Sequence, residues 1–102
     1  MKHLQQKVRL FREERNWQKY HTPKNITLSM MSELGELAEQ FQWRTDQECF
    51  EIGMSIPVCD EIADVAIYLL NLADILQIDL EKEIERKIDK NAMKYPLDGE
   101  TQ

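Results

Sequence analysis

Two pairs of carboxylates are the residues of this sequence whose types and spacing could do chemistry. Glu33 and Glu36 lie three positions apart, and so do Glu61 and Asp64. Side chains three positions apart share one face of a helix. If two such helices pack together, four carboxylates converge, and their mutual repulsion calls for a cation. Because all the ligands are oxygens, the pattern favours Mg²⁺, with Mn²⁺ as a possible substitute, over zinc.

The charge distribution strengthens this interpretation, since an acidic pair alone is often only a solvated helix face. The chain contains 19 acidic and 13 basic residues, for a net charge of −6. Residues 25–81 contain 12 acidic residues and a single basic one, Arg44, whereas the flanks contain 12 basic and 7 acidic residues. The net acidity argues against a non-specific nucleic-acid or membrane-surface binder. The acidic centre, which lacks countercharges, instead favours a bound metal ion.

Apolar residues at helical spacing predict an all-α fold with four helices. A loop is predicted over residues 44–55, where the period is lost. The helices are predicted from Leu4 to about Tyr20, from a cap at Asn25 or Thr27 to Phe41, from Pro57 to Leu76, and from a cap at Asp79 to Tyr95.

Short connections between these helices predict a four-helix antiparallel bundle. Residues 1–96 are expected to form a single domain, and residues 97–102 a flexible tail. A chain of 102 residues buries only a small core, so we expect a homo-oligomer. No signal peptide or membrane span is apparent, and the two cysteines show no paired spacing. A reduced, cytoplasmic protein is therefore expected.

Basic residues at the end of the chain could complement a metal site. Lys87, Asn91 and Lys94 follow one side of the last predicted helix and could meet phosphate oxygens, although plain solvation would explain each lysine as well. Arg44 could contact phosphate or complete a helix C-terminus, where a cation is favourable. A Mg²⁺ ion held by carboxylates is commonly shared with substrate phosphates.

Two tryptophans could contribute to a nucleotide pocket. Trp17 and Trp43 could each stack on a flat base or be ordinary core residues. The sequence has no glycine-rich phosphate loop and no nucleophile motif. Any hydrolysis is therefore expected to proceed by attack of metal-activated water.

Four segments of the sequence resemble one family. They are ERNWQKYHTPKN (14–25), SELGELAEQFQWRTD (32–46), DEIADVAIYLLNLA (60–73) and KIDKNAMKYP (87–96). Together they are similar to the MazG-like all-α nucleoside triphosphate pyrophosphohydrolases, and most of all to the dCTP pyrophosphatase branch. The resemblance implies Mg²⁺-dependent hydrolysis of dCTP or related deoxynucleoside triphosphates between the α- and β-phosphates. The products would be a nucleoside monophosphate and pyrophosphate, in keeping with house-cleaning of the nucleotide pool.

The resemblance also implies roles for residues at matching positions. The four carboxylates would be the metal-binding and catalytic residues, in a dimer or tetramer with its site at a subunit interface. Two other readings stay open, a non-catalytic nucleotide- or metal-binding module and a purely structural helical oligomer. Trp17, Trp43 and Tyr68 would line the nucleoside pocket, Lys87 and Asn91 would contact phosphates or base from the same or a neighbouring subunit, and His21 and Asn25 would bind substrate or shape their loop.

Overall fold

The regular structure of this chain is entirely helical over residues 1–97, the part that the computed structural model describes. The predicted all-α class is confirmed. The predicted tail over residues 97–102 lies almost wholly outside the described part of the chain and stays a prediction. The helices are α1 (Lys2–Glu14), α2 (Pro23–Phe41), α3 (Asp46–Glu51), α4 (Ile56–Ile75) and α5 (Leu80–Lys94).

The first helix is shorter than the apolar pattern indicates. It ends at Glu14, so the predicted end near Tyr20 was wrong. Asn16 adopts a left-handed conformation with φ of 57°, which asparagine tolerates better than most residues. The N–H of Trp17 then donates to the carbonyl of Arg12 at 3.0 Å, which closes the helix in a Schellman motif. The chain therefore turns just before Trp17.

The start of α2 is set by a threonine and a proline. The Thr22 side chain accepts a hydrogen bond from the backbone N–H of Asn25, and Pro23 occupies the first turn. Proline is suited to this position because its missing N–H would have no partner there. The predicted caps, Asn25 and Thr27, were therefore wrong by three and five residues.

A short helix interrupts the predicted loop over residues 44–55. Thr45 accepts a hydrogen bond from the Glu48 backbone N–H, and the Glu48 side chain accepts one from the Thr45 backbone N–H. This reciprocal capping box satisfies two N–H groups that would otherwise have no partner. The prediction of an irregular loop was therefore wrong for Asp46–Glu51.

Helix α4 is the centre of the fold and packs against α1 and α2. The α1 side runs antiparallel, because Gln5 hydrogen-bonds to the Ile78 carbonyl at 3.1 Å while Arg12, further along α1, reaches back to Asp74. The buried apolar residues are few, as expected for so short a chain. They are Ile26, Val58, Leu70 and Ala73.

Helix α5 is the least buried of the long helices. It has no buried residue, and Ile84 and Ile88 on its apolar stripe are 41% and 60% exposed. The predicted bundle is therefore built by α1, α2 and α4 within one chain, with α5 left largely open. Within the described residues, none of the helices combines the length and the apolar character needed to cross a membrane.

Candidate active site

Three of the four predicted carboxylates lie together where α2 faces α4. Glu33, Glu61 and Asp64 each offer one oxygen, and these oxygens lie within 4.8 Å of one another. Glu36, one turn further along α2, is exposed and lies outside this group. The packing of α2 on α4 thus brings together three of the four predicted carboxylates, and a role for Glu36 in the same site stays a prediction.

The electrostatics of this cluster are those of crowded anions. Burial and the neighbouring carboxyls of Glu33 and Glu36 raise the pKa of Glu61 to about 7. The adjacent Glu61 carboxyl lowers the pKa of Glu33, but burial and the charges of Glu36 and Asp64 outweigh this effect, and the pKa of Glu33 is raised overall. Like charges that cannot separate disfavour simultaneous ionisation. A cation would remove this conflict.

The oxygens of the cluster fit a divalent metal ion. The Oε2 atoms of Glu33 and Glu61 are buried and accept no hydrogen bond. Buried carboxylate oxygens without a partner are costly, and metal coordination is one of the few ways to satisfy them. No lysine or arginine forms an ion pair with Glu33, Glu61 or Asp64 in the described chain. The donor set is all oxygen, which suits Mg²⁺.

A cavity of about 310 Å³ opens beside two of these carboxylates. This volume is at the lower end of the range typical of small-molecule sites. Its wall is largely aromatic and aliphatic, so it can hold a flat apolar group next to the acidic cluster. The lining residues are Val8, Phe11, Arg12, Trp17, His21, Glu33, Asp64, Ile67, Tyr68 and Asn71.

The aromatic side chains of this cavity are held in place by one another. Trp17 meets Phe11 edge to face with ring centroids 5.7 Å apart, and it lies 5.8 Å from the His21 ring. The Arg15 guanidinium covers the Phe11 ring at 3.4 Å. The predicted pocket residues Trp17, His21 and Tyr68 thus line the same cavity as Glu33 and Asp64.

A buried polar network forms the back of the cavity. Arg12 hydrogen-bonds to Asn71 and, at 2.9 Å, to Asp74, and the Asn71 amide contacts His21 Nδ1 at 2.7 Å. Burial alone would raise the pKa of Asp74, but hydrogen bonds and charges from Arg9 and Arg12 lower it overall. Burial, together with the charge of Arg12, lowers the pKa of His21.

Sequence analysis did not select Arg12 or Asn71 as site residues. Asn71 carried a signal, because it continues the three-four-three spacing that begins at Glu61 and passes through Asp64 and Tyr68. Arg12 carried none, since a basic residue on an amphipathic helix is most often solvated.

Several predicted substrate-binding residues lie away from the cavity in the single chain. Trp43 is 88% exposed, and Arg44 donates from Nε to the Gln40 carbonyl at 2.8 Å, which completes the end of α2. The Asn25 side chain donates to the Tyr20 carbonyl at 3.0 Å and so shapes its loop. These hydrogen bonds fit the structural roles expected for Arg44 and Asn25, and a role of either residue in substrate binding stays a prediction.

The predicted phosphate-binding residues on α5 are also apart from the cavity. Lys87, Asn91 and Lys94 are all exposed, and the Lys94 ammonium lies 5.4 Å from the Tyr95 ring centroid. None of the three lines the cavity between α1, α2 and α4. Their role at the site therefore stays a prediction.

Comparison with known proteins places this chain in a family. The MazG-like family model matches residues 28–102. The chain is 41% identical over 90 residues to human dCTP pyrophosphatase 1, which covers 84% of this chain and 53% of that protein. The rat enzyme of the same name is 37% identical over 91 residues, covering 85% and 54%. The chain thus spans about half the length of these curated relatives.

A solved structure extends the similarity to the whole fold. The crystal structure of a pyrophosphatase from Archaeoglobus fulgidus superimposes with a TM-score of 0.86 at 46% sequence identity. The match covers 94% of this chain and 92% of that one. By the family match and by these relatives, the chain belongs to the MazG-like family.

Proposed function

We propose that this chain is a Mg²⁺-dependent hydrolase of deoxynucleoside triphosphates, with dCTP or a related deoxynucleotide as substrate. The observation that carries the proposal is the cluster of Glu33, Glu61 and Asp64, with two buried unpaired oxygens, beside an aromatic cavity. The names of the relatives, dCTP pyrophosphatase 1 and pyrophosphatase, support it. The cleaved bond would be the bridge between the α- and β-phosphates, and the products a nucleoside monophosphate and pyrophosphate. This activity fits house-cleaning of the nucleotide pool.

Each part of the site would have a separate task in this reaction. Glu33, Glu61 and Asp64 would hold Mg²⁺, and Glu36 would add a fourth carboxylate from the same face of α2. The bound ion would offset the charge of the triphosphate and make its phosphorus more open to attack by water. Trp17 would hold the base and keep bulk water away from it.

The direct test is a product analysis with variants of the cluster. The purified chain with Mg²⁺ should convert dCTP into dCMP and pyrophosphate, which phosphorus NMR distinguishes from orthophosphate. Glu61→Gln should lower kcat/KM by about 100-fold or more, as expected for removal of a charged group at the reacting centre. Glu39→Gln is the matched control, because Glu39 is an exposed acid of α2 outside the cluster.

Three outcomes separate the alternatives. Intact triphosphates across a full panel of canonical and modified deoxynucleotides would contradict the hydrolase. Tight nucleotide binding without turnover would indicate a binding module. A melting temperature that Mg²⁺ leaves unchanged would indicate a structural helical oligomer, since a ligand of the folded state stabilises it.

We propose further that the working form is a homo-oligomer, a dimer or tetramer. Many large apolar side chains are exposed in the single chain, including Met31 at 63%, Met54 at 92% and Ile88 at 60%. Helix α5 of one copy would then bring Lys87 and Asn91 to the phosphates bound by another copy. Burial of these apolar surfaces would also offset the small core of each chain.

A mixing experiment tests this arrangement. Lys87→Ala and Glu61→Gln chains should each be nearly inactive alone. If the site is shared, exchange of subunits after mixing should restore activity. The restored sites would combine the intact Glu61 of one chain with the intact Lys87 of the other. No restoration, with subunit exchange demonstrated independently, would contradict a shared site.

The free thiols of Cys49 and Cys59 are compatible with the cytoplasmic location that we propose.

A further inference from the structure

The buried network behind the cavity leaves little freedom to its members. Arg12, Asn71 and Asp74 are 7%, 3% and 8% exposed. Arg12 donates through Nη1 to Asn71 Oδ1 and through Nη2 to Asp74 Oδ2. Arg9 donates from Nε to Asp74 Oδ1 at 2.9 Å and so holds the carboxylate from its other side. The Arg12 guanidinium is therefore fixed in position.

The hydrogen-bonding capacity of these groups determines where the protons are. A guanidinium has donors only, so Asn71 must turn its carbonyl oxygen towards Arg12. The amide NH₂ of Asn71 then faces His21 Nδ1, 2.7 Å away, and donates to it. A ring nitrogen that accepts a hydrogen bond carries no proton, so the proton of the neutral imidazole lies on Nε2.

We propose that Arg12, Asn71 and Asp74 are positioning residues that hold His21 in its Nε2–H form, so that the cavity offers a hydrogen-bond donor to an acceptor atom of the nucleobase. This inference rests on the proposed function for the identity of the ligand. His21 lines the cavity beside Trp17, and within residues 1–97 its only side-chain hydrogen bond is the one to Asn71.

A fixed donor gives the cavity a means of selection. An imidazole that is free to exchange its proton presents a donor at Nε2 for only part of the time. Held as a donor, His21 favours a base that presents a carbonyl oxygen or ring nitrogen and disfavours one that presents an amino group. Sites built around a required hydrogen bond reject ligands that lack it far more strongly than apolar pockets do.

The proton position can be measured in the free protein without any ligand. In ¹⁵N-labelled wild-type protein, long-range ¹H–¹⁵N correlation spectra distinguish the two tautomers of each histidine. The signals of His21 are assigned with a His3→Gln variant. We expect His21 to be neutral at pH 7 with the proton on Nε2. A proton on Nδ1, or averaging between the two tautomers, would overturn the proposal whatever the enzyme does.

Variants of Arg12 test whether this residue fixes the tautomer of His21 by orienting Asn71. Arg12→Met should shift His21 towards a mixture of tautomers, because Asn71 is no longer oriented. Arg12→Lys, which keeps a donor, should retain more of the Nε2–H form. Arg86→Met is the control, since within residues 1–97 Arg86 pairs only with Glu83, on the surface of α5. An unchanged His21 spectrum in folded Arg12→Met would overturn the role of Arg12, and if that variant does not fold, the wild-type spectrum decides.

A ligand titration tests the role of the donor. With Mg²⁺ and the α,β-imido analogue of dCTP, the His21 Nε2–H signal should move downfield, as expected for a new hydrogen bond to the base. Deoxyribose 5-phosphate, which lacks a base, should leave it in place. If dCTP is hydrolysed but the analogue does not move this signal, the donor role is wrong while the proposed function stands. If dCTP is neither bound nor hydrolysed, the proposed function itself fails.

Discussion

The Asp74 carboxylate should be among the most important single side chains for the stability of this protein. The Asp74 side chain is 4% exposed. Its Oδ2 atom lies 2.9 Å from Nη2 of Arg12, and the Arg12 side chain is 8% exposed. Asp74→Asn keeps the shape of the side chain but removes the charge, so Arg12 is left as a buried cation without a carboxylate. Removal of one member of a buried ion pair costs about 3–5 kcal/mol of folding free energy.

The second partner of Asp74 adds little to this cost. The Arg9 side chain is 47% exposed, so water can replace the lost carboxylate, and an exposed pair of this kind adds little to stability. The expected loss for Asp74→Asn is therefore about 3–5 kcal/mol. A small domain has only about 5–15 kcal/mol of stability in total, so the variant should be close to unfolding.

Urea denaturation of the wild type and the variant, each at two protein concentrations, measures this loss. The control is Glu83→Gln, which removes an exposed pair with Arg86 at 3.0 Å and should cost less than about 1 kcal/mol. The double variant Arg12→Met/Asp74→Leu should recover much of the loss, because it removes both buried charges together. If Asp74→Asn unfolds within about 1 kcal/mol of the wild type, then Arg12 does not depend on this carboxylate and the reasoning is refuted.

Three further predictions follow from the same structure. The pKa of Asp74 is lowered in the folded state, so its stabilisation is present above the unfolded value and is lost as the pH falls through the folded value; acid unfolding of Asp74→Asn should lack this part of the pH dependence. Without metal, Glu61→Gln should be at least as stable as the wild type, because it relieves carboxylate repulsion, whereas Mg²⁺ should raise its melting temperature less than that of the wild type. A melting temperature of the metal-free variant below that of the metal-free wild type would contradict the repulsion among these carboxylates. Trp17→Ala should raise KM for dCTP roughly 5- to 150-fold through lost base stacking, whereas Tyr20→Ala, which alters an exposed ring, should not.

The four long helices were predictable from the sequence because each carries a sustained apolar period. The end of α1 was less predictable, because Asn16 takes a left-handed conformation with φ of 57° and closes the helix early. Gln77 with φ of 58° closes α4 in the same way, but α4 ends within one residue of the predicted Leu76. Glycine would have indicated such an end from the sequence, whereas asparagine and glutamine indicate it only weakly. The helix after Thr45 was predictable, since Thr45 and Glu48 have the spacing of a capping box.

The acidic cluster was predictable because its members share helix faces, and the aromatic wall was predictable in part. Trp17 and Tyr68 lie in the cavity, but Trp43, which the same reasoning selected, is 88% exposed. The sequence contains no information on which of two similar tryptophans the tertiary packing turns inward. It also could not show Arg12 and Asp74 as partners, because they are 62 positions apart and only the antiparallel packing of α1 on α4 brings them together.

In the folded chain, the acidic centre of the sequence falls into two parts, one that is paired with basic residues and one that is not. Part of it is resolved within the chain, because Arg9 and Arg12 of the basic N-terminal flank neutralise Asp74 of the acidic centre. The part that is not resolved lies at Glu33, Glu61 and Asp64, for which residues 1–97 supply no ion-paired base. Since the fold evidently can place arginines against a buried carboxylate, the lack of countercharge at the cluster is a property of that location and not of the whole chain. Under the proposed function, a negative site beside an aromatic cavity would suit a cation-bound triphosphate, because a metal ion would satisfy the carboxylates and the phosphates together.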